Sequence, residues 1–559
     1  MRKILFAALA LSALISVRAG ACTNIIITKG ASSDGSCMVS YAADSHWLFG
    51  ELYFHPAADY KAGARLPIIE WDTYKPLGDI AQVEHTYQTM GNMNEHQLII
   101  GETTWGGRWE QVNPGGIMDY GSLIYITLQR AKTAREAIET IVSLANEYGY
   151  PSEGETFSIA DTNEAWIMDP VGKGADEKGI VWVARRIPDG YICAHANQCR
   201  ITTFPWDDPE NCLFAPDVAD FARAKGWFSG EDKDFSFRDA YNPLDFGGAR
   251  GCEARVWSAF NILGKGEFRL EQETRPADEW LDYAMGYDTA GEMPLWIKPA
   301  EPVSPKNVAD VMRDHYEGTP MDMRTDIGAG GNACPYRWRP MDFEWDGNEY
   351  VNERAIATQQ TGFWFIAESR GNMPDEVGAL IWFGVDDAAT SPLTPIYANV
   401  TGVPECYREG NGSVVEYSPT SAFWTITRVT HFAYLFYDRV APEIQSAIDK
   451  YEKENVELVA SMDAKAVKML RGGNRSQALE MLTEFCASRA EEMCSTWRDM
   501  GNYLLVKFAD GNVKKQNPDG TFTVNEAGKA VDPQHPQFPE RWLRAVARDC
   551  GDVIEVKSK

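Results

Sequence analysis

The spacing of hydrophobic and polar positions changes several times along this chain. A predominantly apolar stretch from Ile4 to Val17 follows Arg2 and Lys3 and precedes Ala19-Gly20-Ala21. Next come the β-branched and apolar residues Thr23-Asn24-Ile25-Ile26-Ile27-Thr28, a turn-rich connection Lys29-Gly30-Ala31-Ser32-Ser33-Asp34-Gly35, and Ser36-Cys37-Met38-Val39-Ser40-Tyr41. This pattern predicts a β-hairpin whose first residue lies at the edge of its sheet. A short apolar run follows at 98–100. Thr133-Ala134-Arg135-Glu136 reads as a capping box, and Ala137, Ile138, Ile141, Val142 and Leu144 give one helical face running to about Tyr148. Two further hairpins are predicted, one joining 157–160 to 165–168 and one joining 180–184 to 191–194 through Pro188-Asp189-Gly190.

From about 205 to 350 the pattern is less regular, with helices predicted at 217–224, 252–263 and 305–315, the last with Ser304 as N-cap and Pro305 at its first position. Strands are predicted again at 361–367, 379–384 and 395–400, then two long helical stretches, 422–461 broken near Pro442 and 477–500. No repeat, heptad run or low-complexity linker interrupts this order. Hairpins, helices, more strands and closing helices predict an α+β architecture in which helices cover antiparallel sheets. One large domain is expected over 22–559, helical from about 420.

Composition narrows the partners. The 559 residues carry 53 basic against 81 acidic side chains, a formal charge of −28, which disfavours nucleic acid and anionic membrane because such binding relies on clustered Lys and Arg. Hydrophobic residues at 44% and aromatics at 12% exclude a chain without a core. The opening segment has the basic start, apolar centre and A-x-A ending of a secretory signal peptide, with cleavage expected after Ala21. Its apolar part is shorter than the roughly 20 residues a bilayer span needs. The expected product is an exported protein, periplasmic or secreted, with no membrane insertion after signal removal. A homo-oligomer is compatible with the sequence.

Cleavage after Ala21 would leave Cys22 as the first residue, with a thiol and a free α-amine. The amine, with a pKa of roughly 7.7–8.0 against about 8.5 for the thiol, can serve as the base for its own side chain. Two other readings stand beside this one. Ala19-Gly20-Ala21-Cys22 is lipobox-like, making Cys22 a lipid anchor for a surface binding protein, although a strand follows it directly where a tether would be flexible. Alternatively Cys22 is a structural or disulfide cysteine; the count of 11 is odd, so ten can pair and one is left over. No His-Glu-x-x-His, Cys-x-x-Cys, G-x-S-x-G elbow or phosphate loop is present, so neither metal nor cofactor is expected. His195, near Cys193 and Cys199, reads as a structural or pocket-lining histidine.

Cys22-Thr23, the hairpin connection 29–36, Gly91-Asn92-Met93-Asn94-Glu95-His96, Gly101-Glu102-Thr103-Thr104, Ala196-Asn197 and Arg255-Val256-Trp257 together resemble peptidase family C69. These are dipeptidases of the N-terminal nucleophile (Ntn) hydrolase superfamily, related to choloylglycine and penicillin V acylases. The C-terminal half looks like the family in length and character only. The resemblance implies an αββα sandwich of two antiparallel sheets and a small peptide as substrate. It makes Cys22 the nucleophile, Asp44 a carboxylate close to the nucleophile's amine, Asn197 an oxyanion donor, Arg255 a site arginine able to grip a substrate carboxylate, and Thr103 or Thr104 a further oxyanion donor. Glu102 and Glu95 are weaker candidates for gripping a dipeptide's free amine. Where family members commonly carry Arg-x-x-Asp, this chain reads Tyr41-Ala42-Ala43-Asp44, so either another cation activates the thiol or the thiol is less activated. An acylase acting on non-peptide amides, such as conjugated bile acids, would use the same catalytic set.

Overall fold

The computed structural model describes residues 22–336 and 342–557, so the expected signal segment 1–21 lies outside the described residues. Thr23–Ile27 and Cys37–Asp44 form the expected hairpin, paired from Thr23 opposite Ala42 to Ile27 opposite Met38. The first strand is not at a sheet edge. It lies inside a seven-stranded antiparallel sheet ordered Trp296–Ile297, Ile192–His195, Thr23–Ile27, Cys37–Asp44, Thr361–Ser369, Ala379–Val385 and Thr394–Tyr397. Every residue of the first two strands is buried, as in strands covered on both faces.

A second, eight-stranded sheet runs Cys212–Phe214, Ile180–Arg186, Ala165–Gly172, Gly154–Ala160, Ile99–Trp105, Met93–Asn94, Thr89–Met90 and Phe54–His55. The sheets meet where Ile99–Trp105 and Gly154–Ala160 cross Thr23–Ile27 and Cys37–Asp44. Gly101 belongs to this crossing: a Cβ there would come within 2.3 Å of Asn24 Oδ1. Helices Tyr120–Leu128 and Ala134–Tyr148 pack on the eight-stranded sheet, and Ala254–Gly264 and Pro305–Met312 on the seven-stranded one. The chain is thus α+β, with antiparallel sheets between helices.

Two local expectations need correction. The runs around Pro188-Asp189-Gly190 do not pair: Ile180–Arg186 belongs to the eight-stranded sheet and Ile192–His195 to the seven-stranded one. The turn is real, but the chain uses it to change sheets, because its apolar strands find their neighbours in distant parts of the sequence. The long C-terminal helix breaks at Phe436, not Pro442. Ala422–Leu435 ends there and Tyr437–Arg471 begins with Pro442 in its second turn, where the missing N–H removes a single helical hydrogen bond. Ser304 caps Pro305–Met312 in a complete capping box. Thr133 accepts from Glu136 N, while the Glu136 carboxylate returns to Lys132 N.

The C-terminal helices are pinned to the seven-stranded sheet by buried charge. Asp463 accepts from Arg370 Nη1 at 2.7 Å and from the Tyr397 hydroxyl at 2.7 Å. No described helix is long and apolar enough to cross a membrane. All eleven cysteines are free thiols. Because Asp463→Ala would take from the buried Arg370 guanidinium its hydrogen-bonded carboxylate and leave only Glu368 and backbone carbonyls to it, it should cost about 1.5–3 kcal/mol. A thermal-unfolding midpoint unchanged from the parent would contradict that role.

Candidate active site

The strand Thr23–Ile27 sends alternate side chains to opposite faces, so Cys22 and Asn24 point toward the second sheet and Thr23 toward the helix Ala254–Gly264. Cys22 is buried, with 8% of its surface exposed. Its backbone nitrogen donates to Asn197 Oδ1 at 2.7 Å. Its sulfur lies 3.6 Å from Glu102 Oε1 and 3.8 Å from the Tyr41 hydroxyl, and that hydroxyl donates to the same Glu102 oxygen. Asn24 Nδ2 donates to the Glu102 carbonyl, which fixes the strand carrying the carboxylate against the strand that follows the thiol. Burial pushes the Cys22 thiol well above its ordinary range, reinforced by the Glu102 and Asp44 charges and opposed by the Asp44 backbone and the Tyr41 hydroxyl.

Arg255 organises this end of the sheet. A π-helical turn, Gly248–Glu253, leads into its helix and presents the Gly251 carbonyl to Arg255 Nε at 2.9 Å. Nη1 donates to the Cys22 carbonyl at 2.7 Å and to Thr23 Oγ1 at 2.9 Å. Nη2 donates to the Ala196 carbonyl at 3.2 Å and to Asn197 Oδ1 at 3.0 Å. A guanidinium has five N–H donors and all five are used here. The expectation that Arg255 grips a substrate carboxylate is therefore corrected: it positions Cys22 and Asn197.

Asn197 follows the strand Ile192–His195 in a left-handed conformation, φ 57°, which few residues other than glycine and asparagine adopt readily. Besides its two bonds at Oδ1, it donates from Nδ2 to the Thr104 carbonyl at 2.6 Å, leaving one Nδ2 hydrogen. Asp44 ends its strand at a β-bulge. Its carboxylate accepts from Thr361 Oγ1 at 2.6 Å and pairs with Arg354 at 3.3 Å, so it turns toward these residues and its backbone, not its carboxylate, bonds the Cys22 sulfur. Burial pushes Asp44 up to about 7, against the pull of Arg354, Thr361 and Arg255.

The two threonines diverge because neighbours on a strand face opposite ways. Thr103 bonds His195 Nδ1 at 2.7 Å, so its hydroxyl lies between the sheets and not at the thiol. His195 also bonds Ser158 at 2.6 Å, and burial holds its pKa well below the ordinary value. Thr104 stays on the Glu102 side, where its hydroxyl donates to Glu155 Oε1 at 2.9 Å. Glu95 accepts from Gln88 N and serves a turn. Sequence reasoning missed Glu155, Arg354 and Thr361. An acid in a strand otherwise free of charge, Glu102 in Ile99–Trp105 and Glu155 in Gly154–Ala160, was the available signal.

The description of peptidase family C69 matches residues 55–450, well over half of the chain, and the chain belongs to that family. The match includes Thr103, Thr104, Asn197 and Arg255, begins after Cys22 and Asp44, and extends well past the midpoint of the chain. Among its relatives is a protein named "Dipeptidase A" of Lactobacillus helveticus, 22% identical over 511 residues, which cover 87% of this chain and 98% of that one. "Dipeptidase" of Bifidobacterium longum is 24% identical over 551 residues, covering 90% and 91%. "Probable dipeptidase" of Latilactobacillus sakei is 23% identical over 410 residues, covering 70% and 77%. The chain is accordingly an enzyme of peptide hydrolysis.

Burial holds the Cys22 thiol protonated and the negative charge of Glu102 adds to it, so removing that charge should free thiolate. Glu102→Gln should speed alkylation of Cys22 by iodoacetamide at pH 8 by about tenfold, the thiolate gained for each pKa unit released. Peptide mapping by mass spectrometry reads the rate, and an unchanged or slower rate would show that Glu102 does not set the thiol's pKa.

Proposed function

We propose that this protein is an exported dipeptidase of the Ntn-hydrolase type, a single domain over 22–559 on an αββα frame, with Cys22 as nucleophile once the first 21 residues are removed. The observation that carries the reading is the hydrogen bond from Cys22 N to Asn197 Oδ1 at 2.7 Å, within a cage made by Arg255. That nitrogen sits on the same residue as the thiol and already has an acceptor built for it. As a peptide nitrogen it is not basic. Set free, it would become an amine titrating at roughly 7.7–8.0, the only base the reaction needs.

In this mechanism the amine takes the thiol proton, and the sulfur attacks the carbonyl of the peptide bond. The remaining Nδ2 hydrogen of Asn197 donates to the oxyanion of the tetrahedral intermediate, the protonated amine delivers its proton to the leaving amino acid, and a thioester forms. Water, deprotonated by the same amine, then releases the acyl group. Arg255 and Asp44 act through position and field. Arg255 holds the Cys22 carbonyl and Asn197 Oδ1, and Asp44, itself tied to Arg354, presents its backbone to the sulfur. Burial of the Cys22 sulfur beside Glu102 leaves little space for a lipid on it, which weighs against the anchored-protein reading.

The secreted protein should begin at Cys22 with an unmodified amine, as read by intact mass and N-terminal sequencing. A mature chain that starts elsewhere, or carries lipid on Cys22, sinks the proposal. Cys22→Ala should abolish hydrolysis of alanyl dipeptides, and Asn197→Ala should lower it by about 10²–10³. Turnover of glycine-conjugated bile acids without turnover of dipeptides would favour the acylase reading.

A further inference from the structure

Next to the Cys22 sulfur, on the strands Ile99–Trp105 and Gly154–Ala160, lie two carboxyl groups to which the mechanism above gives no role. Glu102 is 1% exposed and Glu155 fully buried. Thr104, opposite Glu155 in the strand register, bridges them: its hydroxyl donates to Glu155 Oε1 at 2.9 Å and lies 3.5 Å from Glu102 Oε2. Burial raises the pKa of both carboxyls, and the charge of Glu102 raises that of Glu155 further. Glu155 Oε2 finds no donor among the described residues.

We propose that the Glu102–Glu155 pair is the subsite for the α-ammonium group of the substrate's first residue. This rests on Cys22 being the nucleophile, as proposed above. The distances fit a single residue. An α-ammonium nitrogen lies about 2.5 Å from the carbonyl carbon of its own residue, and a carbonyl poised for attack lies about 3–3.5 Å from the sulfur. With Glu102 Oε1 at 3.6 Å from that sulfur, a carbonyl seated for attack brings its own ammonium group within hydrogen-bond reach of the pair. The ammonium offers three donors, one of them to Glu155 Oε2, which has none, and sets a fixed positive charge beside two buried carboxyls.

The surroundings favour a cation. The groups whose charges act on the pair and its neighbours include Asp72, Glu153 and the Cys22 thiol, with the phenols of Tyr41, Tyr120 and Tyr150 around them. Burial pushes both carboxyls up, the charge of Glu102 adding to the rise at Glu155 and the Tyr41 hydroxyl opposing it at Glu102, and a bound ammonium favours the charged form of each. A buried end wall at this distance admits one residue before the scissile bond. It selects peptides with a free N-terminus and excludes N-acylated peptides and amides of plain carboxylic acids.

The test compares Ala-Ala, N-acetyl-Ala-Ala and propionyl-Ala, which lacks only the ammonium, as substrates of the mature protein. Ala-Ala should be preferred to propionyl-Ala by at least about 10³-fold in kcat/KM, and comparable rates overturn the proposal without a variant having to fold. In Glu155→Gln that preference should shrink at least tenfold, mostly through KM, whereas an equal loss on both substrates would mark the pair as structural and overturn the proposal. Calorimetry of Cys22→Ala separates this subsite from the nucleophile. Ala-Ala should bind more tightly than propionyl-Ala, and equal affinities would overturn the subsite. Selective binding by a protein that hydrolyses nothing would keep the subsite and discard Cys22 as nucleophile, and turnover without ammonium preference would do the reverse.

Discussion

Five hydrogen bonds from one guanidinium hold the site together. Arg255 reaches the Cys22 carbonyl, Thr23, the Ala196 carbonyl, Asn197 and the Gly251 carbonyl, and so joins the start of an inner strand, the end of its neighbour and a π-helical turn. All five acceptors are neutral oxygens, so the positive charge is felt elsewhere, notably by Asp44, whose carboxyl it pulls down against burial. The arginine fixes where the nitrogen and carbonyl of Cys22 lie. The sulfur is left to answer to the other sheet.

That division follows from strand alternation. Thr23 faces the helix that carries Arg255, while Cys22 and Asn24 face Glu102 and Gly101. The close crossing at Gly101, where no side chain could fit, brings a carboxylate from one sheet to within 3.6 Å of a thiol from the other. Tyr41, which stands where the family resemblance led to the expectation of an arginine, supplies no charge and instead bonds the same carboxylate. The Cys22 sulfur therefore lies beside a buried carboxylate, whose charge adds to burial in opposing its ionisation.

Much of this was legible in the sequence wherever the signal was local. The first hairpin, the capped helix from Ala134 and the long closing helices follow from spacing and caps. The pairing of distant strands was not legible, because Ile180–Arg186 and Ile192–His195 are apolar on both faces and carry no alternation to say which sheet each joins. The family motifs led to Asn197 and Arg255, but hydrogen-bond saturation, which separates a positioning arginine from a substrate-binding one, becomes visible only once Gly251, Ala196 and Cys22 are in contact. Thr103 and Thr104 look equivalent in the sequence, yet one faces His195 and the other Glu155. Only the direction of the strand separates them.

The order of strands in the seven-stranded sheet also sets a schedule. The strand Cys37–Asp44, which backs Cys22, is closed on its far side by Thr361–Ser369, and Asp44 bonds Thr361, 317 positions later. A growing chain that has made the first hairpin has nowhere to put its outer edge until most of the polypeptide exists, and pairing across such separations is slow because loop closure must come first. The sheet that backs Cys22 is thus closed only after Thr361 is made, although Cys22 is among the first residues made. Until then the strand Cys37–Asp44 lacks its outer neighbour, and Asp44 lacks the hydroxyl that holds its carboxylate.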